Sequence, residues 1–476
     1  MINKKFAMIT ASLTVAMTLV ACSTAPKPTA TPAVSSPAFV MPAYETLTLN
    51  NGLTLMLMPQ HEVPLITVNA VVRAGSVQDS QAGLASLTAN SLLLGNGLKS
   101  KQDTELLVDS LGASLQADAG VEGSFISMDF MAKDAKVMLP LLKSILVAPS
   151  FDASEFTKLQ QQQVASLAQA KESPRAVINN YFVAQLFGEH PYGNASSGDA
   201  NSLQAITRQQ VQQFHQQFYQ PSNTALAIAG DFDPVVMKAY LGQLFADWQA
   251  SSAAPVEPLA AIGAPTKAQV LLVDKPDAIE TTFVIGGLGI SRDNPDYVSL
   301  QVINTILGGR FTSWLNDELR VNSGLTYGAR SGFAANKAGG SFRLSTFTKT
   351  STTEQAIDLA LATYARLWQQ GIDQATLDSA KSYVKGQFPP QYETSGQLAY
   401  LMATMYLYDF DASFINNFEK QVDELDLQGS ARLIQQYFPQ TNLQFVLIGK
   451  ADDIREIAAK YGEVTQISIE DVGFSR

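Results

Sequence analysis

The chain has 476 residues, 46% of them hydrophobic and only 16% charged, with a formal net charge of -11. That balance excludes a disordered chain, and an acidic sequence with no basic run beyond its first residues excludes a nucleic-acid binder. A single cysteine, Cys22, excludes an intramolecular disulfide, so the fold must rest on core packing.

Lys4 and Lys5 are followed by an apolar stretch from Phe6 to Val20 and then by Ala21, Cys22 and Ser23. A positive start, a short apolar core and small residues predict a secretory signal over 1–21, too short to span a membrane as a helix. Leu19-Val20-Ala21-Cys22 resembles the lipobox of bacterial lipoproteins. The resemblance implies cleavage before Cys22 and a lipid on its thiol, and Ser23 in place of an aspartate implies the outer membrane. Residues 22–43 are rich in Ser, Thr, Ala and Pro without apolar periodicity, which predicts a flexible, lipid-anchored tether. The roughly 430 residues that remain are too many for one ordinary core and predict two or more domains.

Leu47-Thr48-Leu49 and Leu53–Leu57 flank Asn51-Gly52, the pattern of a hairpin. Ile66–Val72 reads as a strand and Gln81–Leu94 as a helix. Helices over Leu106–Leu111 and Leu139–Ala148 bracket a strand over Gly123–Met131. A polar helix over Ser154–Lys171 carries four consecutive glutamines, Gln160 to Gln163. Gln216-Gln217-Phe218-Tyr219, then Asn223, then Leu226–Gly230 predict a helix end, a turn and a buried strand, and a helix over Pro234–Phe245 follows. Beyond an Ala/Pro/Ser-rich linker at 251–265, Val270–Val273 and Thr281–Ile285 read as strands and Tyr297–Leu307 as a helix. The earlier pattern then returns as Gln435-Gln436-Tyr437-Phe438, Asn442 and Phe445–Gly449, with a helix over Asp452–Tyr461. Residues 435 against 216, 442 against 223 and 449 against 230 share one offset of 219. A repeat of this kind, with helices mixed among non-adjacent strands, predicts an α+β fold of two homologous domains. They occupy 44–250 and 266–476, each a mixed β-sheet with packed helices.

Catalytic motifs are missing from this framework. The histidines are His61, His190 and His215, none with another His or Cys at metal-ligand spacing. His61-Glu62 begins like H-E-x-x-H, but Val63-Pro64-Leu65 breaks the helix that motif needs. Neither a G-x-S-x-G elbow nor a phosphate-cradling loop is present.

Several segments in order nevertheless resemble one family. They are Val72-Arg73-Ala74-Gly75-Ser76, Gly83-Leu84-Ala85, Phe187-Gly188-Glu189-His190-Pro191-Tyr192-Gly193, Ala229-Gly230-Asp231-Phe232-Asp233, and Phe245 to Trp248. In the second half follow Leu307-Gly308-Gly309, Ser313, Leu315, Glu318-Leu319-Arg320 and Gly324-Leu325-Thr326-Tyr327. Together they resemble the insulinase/pitrilysin metallopeptidases, most of all the branch with the mitochondrial processing peptidases. The resemblance implies duplicated α+β domains forming half of a clamshell chamber. Family peptidases carry H-x-x-E-H directly after the Gly-Leu-Ala, two zinc ligands and a general base, with a later glutamate as a further ligand. Here those positions read Ser86, Leu87, Thr88, Ala89 and Asn90, and the later one falls near Ser166 or Leu167. The resemblance therefore implies no cofactor on this chain and a zinc on a partner subunit.

In the second half, Arg320 and Tyr327 match an arginine and a tyrosine that reach the substrate in family members. A guanidinium and a phenol are donors suited to a peptide carbonyl. Arg320 is expected near the end of a helix stopped by Asn322–Gly324, with Tyr327 opening the next strand. A lost zinc half and a kept Arg/Tyr half resemble the non-catalytic subunit of heteromeric members. That implies a lipoprotein of the bacterial envelope, facing the periplasm from the outer membrane through Cys22. It would hold short or unfolded peptides for a homologous zinc-bearing partner. The alternative implied by the family is a peptide-binding or scaffold protein without a role in proteolysis.

Overall fold

The structure, a computed structural model, describes residues 39–250 and 259–475. The expected signal segment, Cys22 and residues 22–38 of the expected tether lie outside the described residues. So do residues 251–258 of the linker.

Two six-stranded mixed sheets form the core. The first contains β1 (Glu45–Thr48), β2 (Thr54–Pro59), β3 (Leu65–Val72), β4 (Ser114–Ala119), β5 (Ser124–Met131) and β6 (Thr224–Gly230), in the order β1-β2-β6-β3-β5-β4. The second contains β7 (Gln269–Asp274), β8 (Glu280–Leu288), β9 (Arg330–Asn336), β10 (Gly339–Lys349), β11 (Gln444–Gly449) and β12 (Glu463–Ser468), in the order β12-β7-β11-β8-β10-β9. Five strands correspond one to one: β2 with β7, β6 with β11, β3 with β8, β5 with β10 and β4 with β9. In each sheet the late strand, β6 or β11, is parallel to one neighbour and antiparallel to the other. The 219-residue repeat is this strand. The sheets differ at one edge, where β1 joins β2 antiparallel from the front of the chain and β12 joins β7 parallel from its end.

All seven residues of β6 are buried, as expected for a strand covered on both faces. Gly230 closes it with φ 141, and a Cβ there would stand 2.2 Å from the Leu65 carbonyl, so glycine is sterically required at this position. The predicted hairpin is present, with Leu47 opposite Leu55.

The helices that position the sites are α1 (Leu84–Ser91), α2 (Ala153–Lys171), α3 (Pro174–Phe187), α4 (Arg208–Phe218), α5 (Tyr297–Asn304), α6 (Thr353–Gln369) and α7 (Ser395–Tyr408). Two are shorter than their sequence pattern. The first begins only at Leu84, because Gly83 sits at φ 90 and interrupts helical geometry before it. α5 ends at Asn304 and widens into a π-turn, Thr305–Gly309.

One face of each sheet packs on helices of its own half. In the first half α1 and α4 join Leu55, Leu57, Val68 and Ala70 in one core. The other face is covered by a helix from the opposite half. α7, from the second half, lies on β3 and β6, with Leu398, Met402 and Met405 in the same cluster as Met56, Val71 and Ala227. α3, from the first half, lies on β11 and β8, placing Tyr181 and Phe182 against Val284, Val446 and Ile448. Neither half can bury both faces of its sheet alone.

Polar contacts close the seam. The buried Glu122 carboxylate accepts from the Tyr192 hydroxyl at 2.6 Å and from the Lys337 backbone N–H at 2.8 Å. The Ala338 N–H donates to the same hydroxyl at 2.9 Å. Burial first, then Glu122, raises the Tyr192 pKa, so the hydroxyl stays a donor. Arg73 lies 4.1 Å from the Tyr406 ring centre and pairs with Asp409, which also binds Lys337 at 3.1 Å. Packing on the second half begins at Phe39, inside the segment expected as tether. Phe39 stacks on Tyr392, and the buried Met41 donates its N–H to Asn416 Oδ1 at 2.9 Å.

Candidate functional site

The helix at the family's zinc position is firmly held. Asp79 accepts from the Gly83 N–H at 2.9 Å and the Ala85 N–H at 2.7 Å, satisfying donors that open α1. A Cβ on Gly83 would meet Gly198 Cα at 2.9 Å, so the Gly-Leu-Ala motif here serves close packing. Burial pushes the Asp79 carboxyl up to about 7, against these donors.

On that helix Ala89 is 0% exposed and belongs to the apolar core. Ser86 and Asn90 are half-buried, and the Asn90 amide donates to the Ser86 carbonyl at 2.8 Å, turned back on its own helix. α2 does lie against α1, where the family's later glutamate would stand. There Ser166 is exposed and Leu167 packs into the first core. A hydroxyl, a methyl, an amide and a leucine do not fit a zinc ion, which takes imidazole, thiolate or carboxylate donors. Among the described residues no group of three or more His, Cys, Asp or Glu could hold a metal.

The histidines lie elsewhere. His61 is exposed beside Asp231 at 2.7 Å, and His190 accepts the Tyr192 N–H at 3.1 Å. His215 is buried between Tyr219, stacked at 4.9 Å, and the edge-on Phe151, with Nε2 2.9 Å from the Leu146 carbonyl. Burial lowers its pKa to about 4, so it is a neutral core residue.

The second half holds the other predicted pair. Trp314–Asn316 continues as a π-turn, Asp317–Asn322, which carries Arg320. Gly324, at φ 61, ends it, and the Leu325 and Thr326 N–H groups return to the Leu319 carbonyl at 2.8 and 3.3 Å. The predicted helix end at Asn322–Gly324 is therefore present. Tyr327 does not open a strand, since β9 starts at Arg330. The loop lies on β10 through side chains instead: Thr346 Oγ1 is 3.0 Å from Thr326 Oγ1 and 2.9 Å from the Gly328 carbonyl.

Arg320 rests 4.5 Å from the centre of the Phe311 ring, itself 65% exposed. Its neighbour Glu318 is engaged by Arg366 at 3.2 Å and by Asn322, and among the described residues Arg320 forms no ion pair. Tyr327 is 82% exposed and tilts over Phe347, with ring centres 6.4 Å apart. The Arg175 guanidinium sits 3.9 Å from the centre of the same Phe347 ring. Phe311, Phe347 and Arg175 escaped sequence reasoning. Arg175 belongs to the other half of the chain, and no local pattern could bring it there.

The fold and the sequence have counterparts among known proteins. Residues 56–200 match the family model described as insulinase (peptidase family M16), and 205–384 match the one described as peptidase M16 inactive domain. Together they cover well over half of the chain, which belongs to the insulinase (M16) peptidase family, as a homologue whose zinc positions are degenerate. It is 24% identical over 396 residues to the non-peptidase homologue YmxG of Helicobacter pylori, covering 82% of this chain and 90% of that one. An uncharacterised zinc protease of Mycobacterium leprae is 25% identical over 282 residues, or 59% of this chain, and the match spans only 63% of that protein. A crystal structure of a peptidase M16 inactive domain from Pseudomonas fluorescens superposes with a TM-score of 0.80 at 26% identity, covering 86% of this chain and 98% of that one. A protease structure from Helicobacter pylori gives the same TM-score at 20% identity, over 86% and 100%, and shares the fold.

Proposed function

We propose that this chain is the non-catalytic subunit of a heteromeric M16 peptidase, held in the bacterial envelope by lipid on Cys22. It grips peptide through Arg320 and Tyr327 while a homologous partner carries the zinc. The observation that carries the reading is an asymmetry. The helix at the metal position is filled by a buried alanine and an amide bonded to its own backbone. The arginine of the other half stands on an aromatic ring, and among the described residues no carboxylate pairs with it.

The zinc and its hydrolytic chemistry belong to the partner. On this chain, Arg320 and Tyr327 bind and orient the peptide, offering N–H and O–H donors to a carbonyl oxygen. The Thr346 contacts hold the tyrosine's loop, and Phe311 supports the guanidinium, so both donors are positioned before a peptide arrives. A relative described as a non-peptidase homologue supports a role other than hydrolysis by this chain itself.

The test is purification from the membrane fraction together with the partner. Arg320→Gln with Tyr327→Phe is expected to leave assembly intact and lower kcat/KM of the pair by about 100-fold or more, the scale for lost donors to a polarised carbonyl. Unchanged turnover would leave a scaffold role. Chelator-sensitive hydrolysis by the pure chain alone would sink the subunit reading.

A further inference from the structure

The second sheet carries two arginines, Arg330 and Arg343, that have no ion pair among the described residues and that the Arg/Tyr pair does not explain. Along β10, Arg343, Ser345 and Phe347 stand opposite Gly286, Val284 and Thr282 of β8. On the other side, Arg343 and Ser345 stand opposite Gly332 and Arg330 of β9. Directly opposed residues of antiparallel strands share a face, so Arg330, Arg343, Ser345 and Phe347 lie on one side of the sheet. It is the side covered by α3, since Val284 packs in the α3 cluster and a Cβ on Gly286 would meet the Phe182 ring at 2.9 Å. α3 lies over β11 and β8, leaving β10 and β9 beside it.

Arg175, Asn179 and Phe182 follow one another at helical spacing on one face of α3. The first touches Phe347 and the last lies against Gly286, so Asn179 falls between them beside the β10 row. Its Oδ1 is buried without a hydrogen-bond partner. Arg343 is half-buried, and burial holds its guanidinium below the usual arginine range. Among the described residues neither Arg343 nor Arg330 has an ion pair, whereas Arg175 pairs with Glu280 at 3.8 Å. A desolvated cation without a counter-charge is costly, as is a buried amide oxygen without a donor. In a chain of net charge -11, an acid to neutralise the half-buried Arg343 was not scarce.

We propose that the face of β10 and β9 beside α3 is a carboxylate-binding subsite for the peptide, resting on the reading that Arg320 and Tyr327 hold that peptide. Arg343 and Arg330 take the carboxylate and Arg175 flanks it. Asn179 Oδ1 accepts a peptide N–H, and Phe347 links the subsite to Tyr327. The preferred substrates are thus peptides with an acidic side chain, or their free C-terminal end, at this position.

The test is calorimetric binding to the purified full chain without its partner. The probes are a short peptide with one glutamate and a free C-terminus, its Glu→Gln version, and its C-terminal amide. At least one neutralised peptide is expected to bind about tenfold more weakly, the scale of a lost charge-assisted contact. Loss on amidation identifies the C-terminus and loss with glutamine the side chain. Arg343→Gln is expected to erase the difference without lowering Tm. Arg330→Gln, at an exposed position, carries the same test should the first variant not fold. General electrostatics cannot mimic this result, because an acidic chain repels acidic peptides.

Equal affinities for all three peptides, or a preference surviving both variants, overturn the subsite. If they do so while the Arg320/Tyr327 variant still cuts turnover of the pair, only the subsite falls. If the carboxylate preference holds and that variant changes nothing, the subunit reading falls and a peptide-binding sheet face remains.

Discussion

Two buried titratable side chains oppose each other over the same pH range. His215 titrates near 6.5 when unfolded and at about 4 when folded. Between those values the unfolded chain binds a proton that the folded one refuses, so stability from His215 is complete above 6.5 and lost as pH falls to about 4. Asp79 runs the other way, from 3.8 to about 7. There the folded chain holds the extra proton, and stability is lost as pH rises through that window. Each effect is on the order of 3 kcal/mol, so the intact protein should show a nearly flat urea midpoint between pH 4.5 and 6.5 by rough cancellation. Asp79→Asn should make stability rise with pH, and His215→Gln should make it fall. Parallel profiles for the two variants would refute the opposition. At the degenerate zinc helix, Ala89→Glu alone should cost about 3 kcal/mol, read from the denaturation midpoint, because it places a carboxylate in a filled core. A tolerated glutamate would mean that the site is more open than Ala89's complete burial indicates.

Among the elements, α1 shows how a catalytic helix persists as a scaffold. Its cap Asp79, its glycine and its apolar face are all retained for packing, although Ser86, Ala89 and Asn90 carry no chemistry for a metal. Helices α3 and α7 have a different task, each closing the sheet of the half to which it does not belong. Phe182→Ala should therefore cost about 3–5 kcal/mol by opening a cavity under Gly286. Because α3 is threaded through the second half, calorimetry should show one transition moving as a whole. A separate early transition for 266–476 would contradict the exchange. The edges also differ in legibility: β4 is short, polar and partly exposed, and its sequence gave no strand signal, whereas the buried β6 and β11 were plain from their unbroken apolar runs.

In the whole molecule, the two homologous halves are joined by polar as well as apolar contacts. Glu122 holds the Tyr192 hydroxyl and the Lys337 N–H together, out of water. Glu122→Ala strands both donors and should lower stability by about 3 kcal/mol, seen as a drop in Tm with a single transition retained. An unchanged Tm would show that the seam is wet and weak.

The sequence by itself determined the α+β class, the duplication and the loss of zinc ligands. Strand burial and the 219-residue repeat are written in local patterns, and a missing histidine needs no structure to be noticed. It also pointed to Arg320 and Tyr327 through the motifs around them. Only the tertiary structure decided that Ala89 fills its site, that Tyr327 sits in a loop rather than a strand, and that Arg175 from one half meets Phe347 from the other. Those outcomes depend on which faces meet after α3 and α7 have exchanged sheets. No periodicity encodes that meeting, because it is set by burial of both sheet faces at once.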